Sequence, residues 1–280
     1  MNGKIGLFDS GLGGLSILKS LIKELPNEDY LFYEDSINNP YGNKSEEELL
    51  NLTTKIVDYL KSEGCKIIVI ACNTATTSCI IKLREIYPDT IFVGTVPAIK
   101  VAYDGHYKNV INLSTPYTKN SKRVEELLTN FTNEDETIYN ISGENLANLI
   151  EFDKKEEIME LLERLLSEYK DKSDALILGC THYSLIKDEF KKVLPNTELL
   201  DGVKGVTAEV KKQLTINNLL NPRKENGTLK IINNKSEDLI SRSINILNKN
   251  NEGNMFSTEE IVKGDSIIDN NENFSCNIKL

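Results

Sequence analysis

Two of the five cysteines stand where a thiol can do chemistry. Ile67-Ile68-Val69-Ile70-Ala71-Cys72-Asn73-Thr74-Ala75 and Ala175-Leu176-Ile177-Leu178-Gly179-Cys180-Thr181-His182-Tyr183 share one pattern: a buried apolar strand, a small residue, a cysteine, two polar residues, then a helix. At a helix N-terminus the backbone dipoles favour a thiolate, which makes the thiol a usable base or nucleophile near neutral pH. A lone cysteine in such a place is usually a small hydrophobe closing a strand. Two in matching contexts point to chemistry instead. Cys65 and Cys79 lack that context and Cys276 lies in the tail, so these three read as structural. The odd set, without Cys-x-x-Cys spacing, predicts neither a disulfide framework nor a zinc site, and reduced thiols in a cytosol fit best.

Asp9 closes a first strand-like run, and Ser10-Gly11-Leu12-Gly13-Gly14 then opens a helix. Taken alone, Asp9 is as readily an N-cap as a functional carboxylate. A dinucleotide fingerprint would need glycine or alanine where this chain has Ser16, so no such cofactor is expected and a small anion suits the loop better. His182, two residues after Cys180, is placed to tune that thiol or relay its proton, or else is a satisfied structural residue. His106 has no such setting.

These groups need elements to hold them. Short β-branched runs alternate with 3.6-period stretches, the pattern of a parallel sheet covered by helices. Strands are expected at Lys4 to Phe8, Tyr30 to Tyr33, Lys66 to Ala71, Ile91 to Val93, Val110 to Leu113 and Ala175 to Leu178. Ser45 with Glu48 forms a capping box for a helix carrying Leu49, Leu52, Ile56 and Leu60. Further helices are expected near 120–130, 144–152, 155–170 and 184–193. The echo between the two cysteine segments suggests pseudo-symmetric halves. Ligands of open parallel sheets bind outside the carboxyl ends of strands, where both cysteines fall.

The bulk properties exclude several classes. With 280 residues, 39% hydrophobic and 27% charged, the chain can bury a substantial core as one large domain or two small ones. A formal net charge of −10 argues against nucleic-acid or anionic-membrane partners, which clustered Lys and Arg attract. An acidic substrate would have to be held locally by backbone N–H groups and neutral side chains. The start shows no apolar leader core, and no apolar run approaches the roughly 18 residues of a membrane span, so a cytoplasmic location is expected. The segment 248–254, rich in Asn, reads as a linker or loop.

Four blocks, Phe8-Asp9-Ser10-Gly11-Leu12-Gly13-Gly14, Pro40-Tyr41-Gly42-Asn43-Lys44-Ser45, Ala71-Cys72-Asn73-Thr74-Ala75 and Leu178-Gly179-Cys180-Thr181-His182-Tyr183, resemble the signature blocks of glutamate racemases in order and approximate spacing. The resemblance spans roughly residues 4–210. It implies an α/β fold of two doubly wound domains with mainly parallel sheets, the active site in the cleft between them. The division expected on that basis is 1–97 with about 206–247, then 98–205, with 248–280 as a peripheral polar tail. The resemblance also implies a racemase that needs no cofactor or metal, supplies D-glutamate for peptidoglycan, and forms a homodimer. By position, Cys72 would act on the D-enantiomer and Cys180 on the L-enantiomer, with Asp9 and His182 assisting the nearer thiol and Glu151 supporting the histidine. Ser10, Pro40, Tyr41, Gly42, Asn73, Thr74, Thr181 and the Ser114-Thr115-Pro116-Tyr117-Thr118 turn, with Thr115 and Thr118, would hold the substrate. Two stretches depart from the family pattern: Ser142 to Leu149, which lacks the usual proline, and Val96-Pro97-Ala98-Ile99, which lacks the usual acidic turn.

Two thiols suit racemisation because one base removes the α-proton from one face while an acid delivers another to the opposite face. A single base would tend to return the same enantiomer. Rival readings are an aspartate racemase or other isomerase or decarboxylase of the same fold, a non-catalytic small-ligand-binding protein, and a thiol redox protein. A decarboxylase would need only one of the two cysteines, and the separation of Cys72 from Cys79 does not support redox chemistry.

Overall fold

The computed structural model describes residues 3–249, 257–258, 260–264, 267 and 271–280. In chain order come β1 (Lys4–Asp9), α1 (Leu15–Glu24), β2 (Tyr30–Glu34), α2 (Glu46–Ser62), β3 (Cys65–Ile70), α3 (Asn73–Ile86) and β4 (Phe92–Gly94). Then follow α4 (Ile99–Asp104), β5 (Asn109–Ser114), α5 (Pro116–Lys119), α6 (Lys122–Asn130), β6 (Thr137–Ser142), α7 (Leu146–Glu151), α8 (Lys155–Leu166), β7 (Ala175–Gly179), α9 (Lys187–Val193) and β8 (Glu198–Leu200). The chain continues with α10 (Val203–Ile216), β9 (Thr228–Asn233), α11 (Glu237–Asn248), β10 (Ser257–Thr258), β11 (Val262–Gly264) and β12 (Asn273–Lys279). The capping box is present at α2: Ser45 Oγ accepts from the Glu48 N–H while the Glu48 carboxylate accepts from the Ser45 N–H.

The strands form two sheets. One has the order β10-β12-β9-β2-β1-β3-β4 with β11 on β12; the other has the order β6-β5-β7-β8. The run β2-β1-β3-β4 and the whole of β6-β5-β7-β8 match strand for strand, and every pair in both is parallel. β3 therefore corresponds to β7, and Cys72 and Cys180 follow equivalent strands. In each lobe the order reverses between the first and third strands, and ligands of such sheets bind at that reversal.

Burial explains why β3 reads as a continuous apolar run. Ile67 and Val69 join a core with Leu18 and Leu21 of α1 and Val210 of α10. Ile68 and Ile70 point the other way, into a core with Ile56 and Leu60 of α2 and Leu83 of α3. A parallel strand covered on both faces has no polar side to show. In the second sheet, Leu176 and Leu178 of β7 pack on α7, α8 and α9, and Ala175 and Ile177 pack on α4 and α6.

Three findings differ from the sequence reading. The stretch after Cys180 begins as a 3₁₀ turn, Thr181–Ile186, and becomes α-helical only at α9. Residues 248–280 are not wholly peripheral: β12 pairs antiparallel with β9 and buries Cys276 and Ile278 in the core beneath α11. The physical reason is that β9 would otherwise present an open edge, which the alternating Cys276, Asn277, Ile278, Lys279 closes. Of the expected linker, Asn248 ends α11 and Lys249 caps it, while residues 250–254 lie outside the described residues. Strands β6, β8 and β9 are additions to those expected from the sequence.

Candidate active site

Cys72 and Cys180 line one narrow cavity between the lobes, with Ser10, Asn39, Pro40, Tyr41, Gly42, Asn73, Thr74, Thr115, Ala147 and His182. The space open to the centre of a water-sized sphere is about 10 Å³, room for roughly one water. The lobes must part to admit an amino acid. A larger groove of about 780 Å³ shares only Gly42 with this cavity and contains neither thiol, so size alone does not mark the chemistry.

Cys72 is the N-cap of α3, its Sγ accepting from the Ala75 N–H at 3.5 Å. That contact lowers the thiol's proton affinity, but burial and the neighbouring Asp9 charge outweigh it and push Cys72 well above the usual thiol range. The help of the helix N-terminus is outweighed at this position, and Cys72 is a neutral thiol. Asp9, fully buried, is itself pushed up to about 6 by burial, against the pull of His182, Thr181 and Ser10. Thr181 Oγ1 donates to Asp9 Oδ2 at 2.7 Å and Ser10 Oγ donates to Asp9 Oδ1 at 3.1 Å.

Cys180 has different company. His182 Nδ1 lies 3.9 Å from its Sγ, and His182 Nε2–H donates to Glu151 Oε2 at 2.8 Å. Burial pushes the imidazole down, but the Cys180 and Glu151 contacts and charges win and hold His182 well above its usual range. Burial likewise pushes Glu151 up, and His182, the Leu12 N–H and Ser36 bring it below the usual carboxylate range. The pair is an imidazolium on a carboxylate, buried and hydrogen-bonded.

Behind Glu151 runs a chain of polar groups not foreseen from the sequence. Ser36 Oγ donates to Glu151 Oε1 at 2.8 Å; Asn233 Nδ2 donates to Ser36 Oγ at 3.0 Å and to Glu34 Oε2 at 2.9 Å. Ser243 Oγ lies 2.6 Å from Glu34 Oε1 and 3.0 Å from the Leu239 carbonyl. A hydroxyl has one proton to give. A neutral Glu34 donating to Ser243, which donates to Leu239, satisfies all three groups. Burial pushes Glu34 up to about 8, in agreement with that geometry.

The glycine-rich loop explains how the lobes approach. The anion it meets is the Glu151 carboxylate, which accepts from the Leu12 N–H at 2.9 Å. A Cβ on Gly11 would sit 2.5 Å from both Glu151 carboxylate oxygens, and one on Gly13 would sit 2.5 Å from Thr181 Oγ1. Both positions need glycine for this contact. On the other side of the cavity Thr74 Oγ1 lies 3.0 Å from Thr115 Oγ1 and 3.2 Å from Thr118 Oγ1. Arg242 of α11 donates to the Ile150 and Glu151 carbonyls at the end of α7.

Most of the residues singled out from the sequence therefore converge. Asp9, Thr118, Thr181 and Glu151 stand one layer behind the cavity wall, each bonded to a residue that lines it or supports it. The Tyr41 hydroxyl donates to Asp35. Asn39 and Ala147 at the wall, and Ser36, Glu34 and Asn233 behind it, were missed. Asn39 sits inside the Asn38-Asn39-Pro40 loop signal, but the others carry no local mark. Among the described residues no group of three His, Cys, Asp or Glu is poised to hold a metal.

Comparisons with known proteins agree with one another. The family model for Asp/Glu/hydantoin racemases matches residues 21–210. A glutamate racemase of Clostridium novyi (strain NT) is 37% identical over 250 residues, covering 87% of this chain and 96% of that one. One from Clostridium botulinum (strain Alaska E43 / Type E3) is 38% identical over 251 residues, covering 86% and 96%. Among solved structures, glutamate racemase from Francisella tularensis subsp. tularensis SCHU S4 in complex with D-glutamate superposes with a TM-score of 0.76 at 27% identity, covering 90% of this chain and 96% of that one.

Proposed function

The chain belongs to the Asp/Glu/hydantoin racemase family, and on that premise we propose that it interconverts L- and D-glutamate without a cofactor, through Cys72 and Cys180. One observation carries the reading: two thiols that follow equivalent strands of two matching sheets line the same cavity. Cys180 takes the α-proton of L-glutamate and the neutral Cys72 thiol delivers its proton to the opposite face; the return reaction exchanges their roles. Each turnover from L-glutamate leaves a proton gained at Cys180 and one lost at Cys72, and exchange with water in the opened cleft restores both. For D-glutamate, Asp9 takes the Cys72 proton and the His182 imidazolium gives one to Cys180 before the α-proton moves. Donors around the cavity stabilise the charge that develops on the α-carboxylate. Among the described residues no Lys or Arg lines the cavity, so Ser10, Asn73, Thr74, Thr115 and the Pro40-Tyr41-Gly42 segment hold the substrate with neutral groups.

A cytoplasmic setting, where D-glutamate serves peptidoglycan synthesis, suits five free thiols. No described helix is long and apolar enough to cross a membrane. A homodimer accords with the family resemblance.

The test is α-proton exchange in deuterium oxide, followed by NMR with L-glutamate and L-aspartate separately, for wild type, Cys72→Ala and Cys180→Ala. Wild type is expected to exchange and racemise glutamate, and each variant to lose racemisation by at least about 10³-fold. Activity on aspartate alone would keep the two-thiol chemistry and overturn the substrate; exchange on neither would overturn the racemase reading.

A further inference from the structure

Asn39 is anomalous among the residues of the cavity. Both its Nδ2 and its Oδ1 are buried and neither has a hydrogen-bond partner. Of the polar groups around it, Asn73 Oδ1 is likewise buried without a partner, but it is an acceptor only. The others are committed: Asn38 and Tyr41 donate to Asp35, Ser10 donates to Asp9, and Thr74 and Thr115 bond to each other and to Thr118. Among the described residues, Asn39 Nδ2 is the buried side-chain N–H at this cavity that no protein atom satisfies. A buried amide left unpaired costs stability in the free protein. Asn38 and Tyr41, which flank the Asn39-Pro40 pair, are pinned by Asp35, and Asn39 lines the cavity between them. An amino-acid zwitterion offers what the amide lacks, since its carboxylates accept and its ammonium donates.

Resting on the racemase reading above, we propose that Asn39 is a substrate-contacting residue, its Nδ2 donating to a carboxylate of the amino acid and its Oδ1 accepting from the ammonium group. The contact is present in the ground state as well as the transition state, so it acts on KM more than on kcat. In a cavity that no described Lys or Arg lines, a neutral donor is how a chain of this net charge holds a dicarboxylate.

Asn39→Leu and Asn39→Asp test the assignment, with glutamate as the probe and wild type alongside. Asn39→Leu is expected to raise KM by at least roughly 10- to 100-fold with kcat nearly unchanged, since it removes both hydrogen bonds and the loss of even one to a charged group is worth that much. Its Tm without ligand should stay the same or rise, because two orphaned polar atoms are gone, and the Tm gain on adding glutamate should shrink. Asn39→Asp exchanges the donor for a carboxylate facing the substrate's own, and should raise KM further at the same side-chain size. An unchanged KM in both variants, or a Leu variant that is less stable yet binds glutamate normally, would overturn the proposal in favour of a structural amide. Wild type that fails to turn over glutamate would sink the racemase reading, which this comparison reads independently.

Discussion

Cys72 and Cys180 end equivalent strands, and the strand order around them is the same, yet the two thiols live in different chemical company. Cys72 caps a full α-helix and faces a carboxyl group that titrates near neutrality; Cys180 opens a 3₁₀ turn, has no capping bond, and faces an imidazolium held by a buried carboxylate. The repeated scaffold delivers two thiols to one cavity. What each can do with a proton is decided by the neighbour that the other elements bring.

The sharpest way to break this comparison is to remove one neighbour at a time. L- and D-glutamate are equally stable, so kcat/KM must fall equally in both directions for any variant, and the asymmetry can show only in kcat and KM separately. Asp9→Asn is expected to lower kcat from D-glutamate by roughly 10²-fold, and His182→Asn to lower kcat from L-glutamate by about as much. In wild type, kcat from D-glutamate should rise as pH passes up through about 6, where Asp9 ionises and can accept the Cys72 proton, and that inflection should vanish in Asp9→Asn. Equal losses in kcat for both substrates in both variants would remove the division of labour.

A smaller effect is expected at the lobe contact. Gly13→Ala places a Cβ 2.5 Å from Thr181 Oγ1 and 2.6 Å from the His182 nitrogen, and should cost about 1–3 kcal/mol. Thermal unfolding should register a Tm lower by several degrees, and kcat from L-glutamate should fall more than kcat from D-glutamate. Gly205→Ala, inside α10 where a Cβ meets nothing within 4 Å, is the control and should leave kcat unchanged and Tm the same or slightly higher.

The mildest change to activity should come from Glu34→Gln, which keeps the shape of the chain behind Glu151 and removes its titration. Glu34 binds its proton more tightly folded than unfolded, so its contribution to stability is complete below about pH 4.3 and is lost as pH rises through about 8. Wild type should therefore lose on the order of a few kcal/mol between those limits from this group, and Glu34→Gln should flatten that slope in Tm measured from pH 5 to 9. An unchanged slope would mean that Glu34 is ionised at neutral pH.

Much of this site was legible in the residues. Cys72, Cys180, Asp9 and His182 stand directly after strands whose apolar runs are unmistakable, so local pattern puts them at carboxyl ends. Glu151 could be paired with His182 only by resemblance, since 31 residues separate them. Ser36, Glu34, Asn233 and Ser243 carried no local signal, because small polar residues at strand ends and on helices are ordinary, and the contacts that give them meaning span up to 209 residues. β12 was read as tail for the same reason: only beside the open edge of β9 does its alternation become a buried strand.

The amino-acid sequence by itself determined the alternation of strand and helix, the capping of α2, and the two thiols after matching strands, because each follows from side-chain periodicity and backbone chemistry within a dozen residues. The tertiary structure alone decided that the glycine-rich loop meets Glu151 rather than a free anion, that Cys72 stays protonated while His182 is charged, and that the Asn39 amide is left without a partner. Those outcomes depend on burial and on which groups the two lobes bring within about 4 Å, where electrostatics in a low-dielectric interior outweigh local preference.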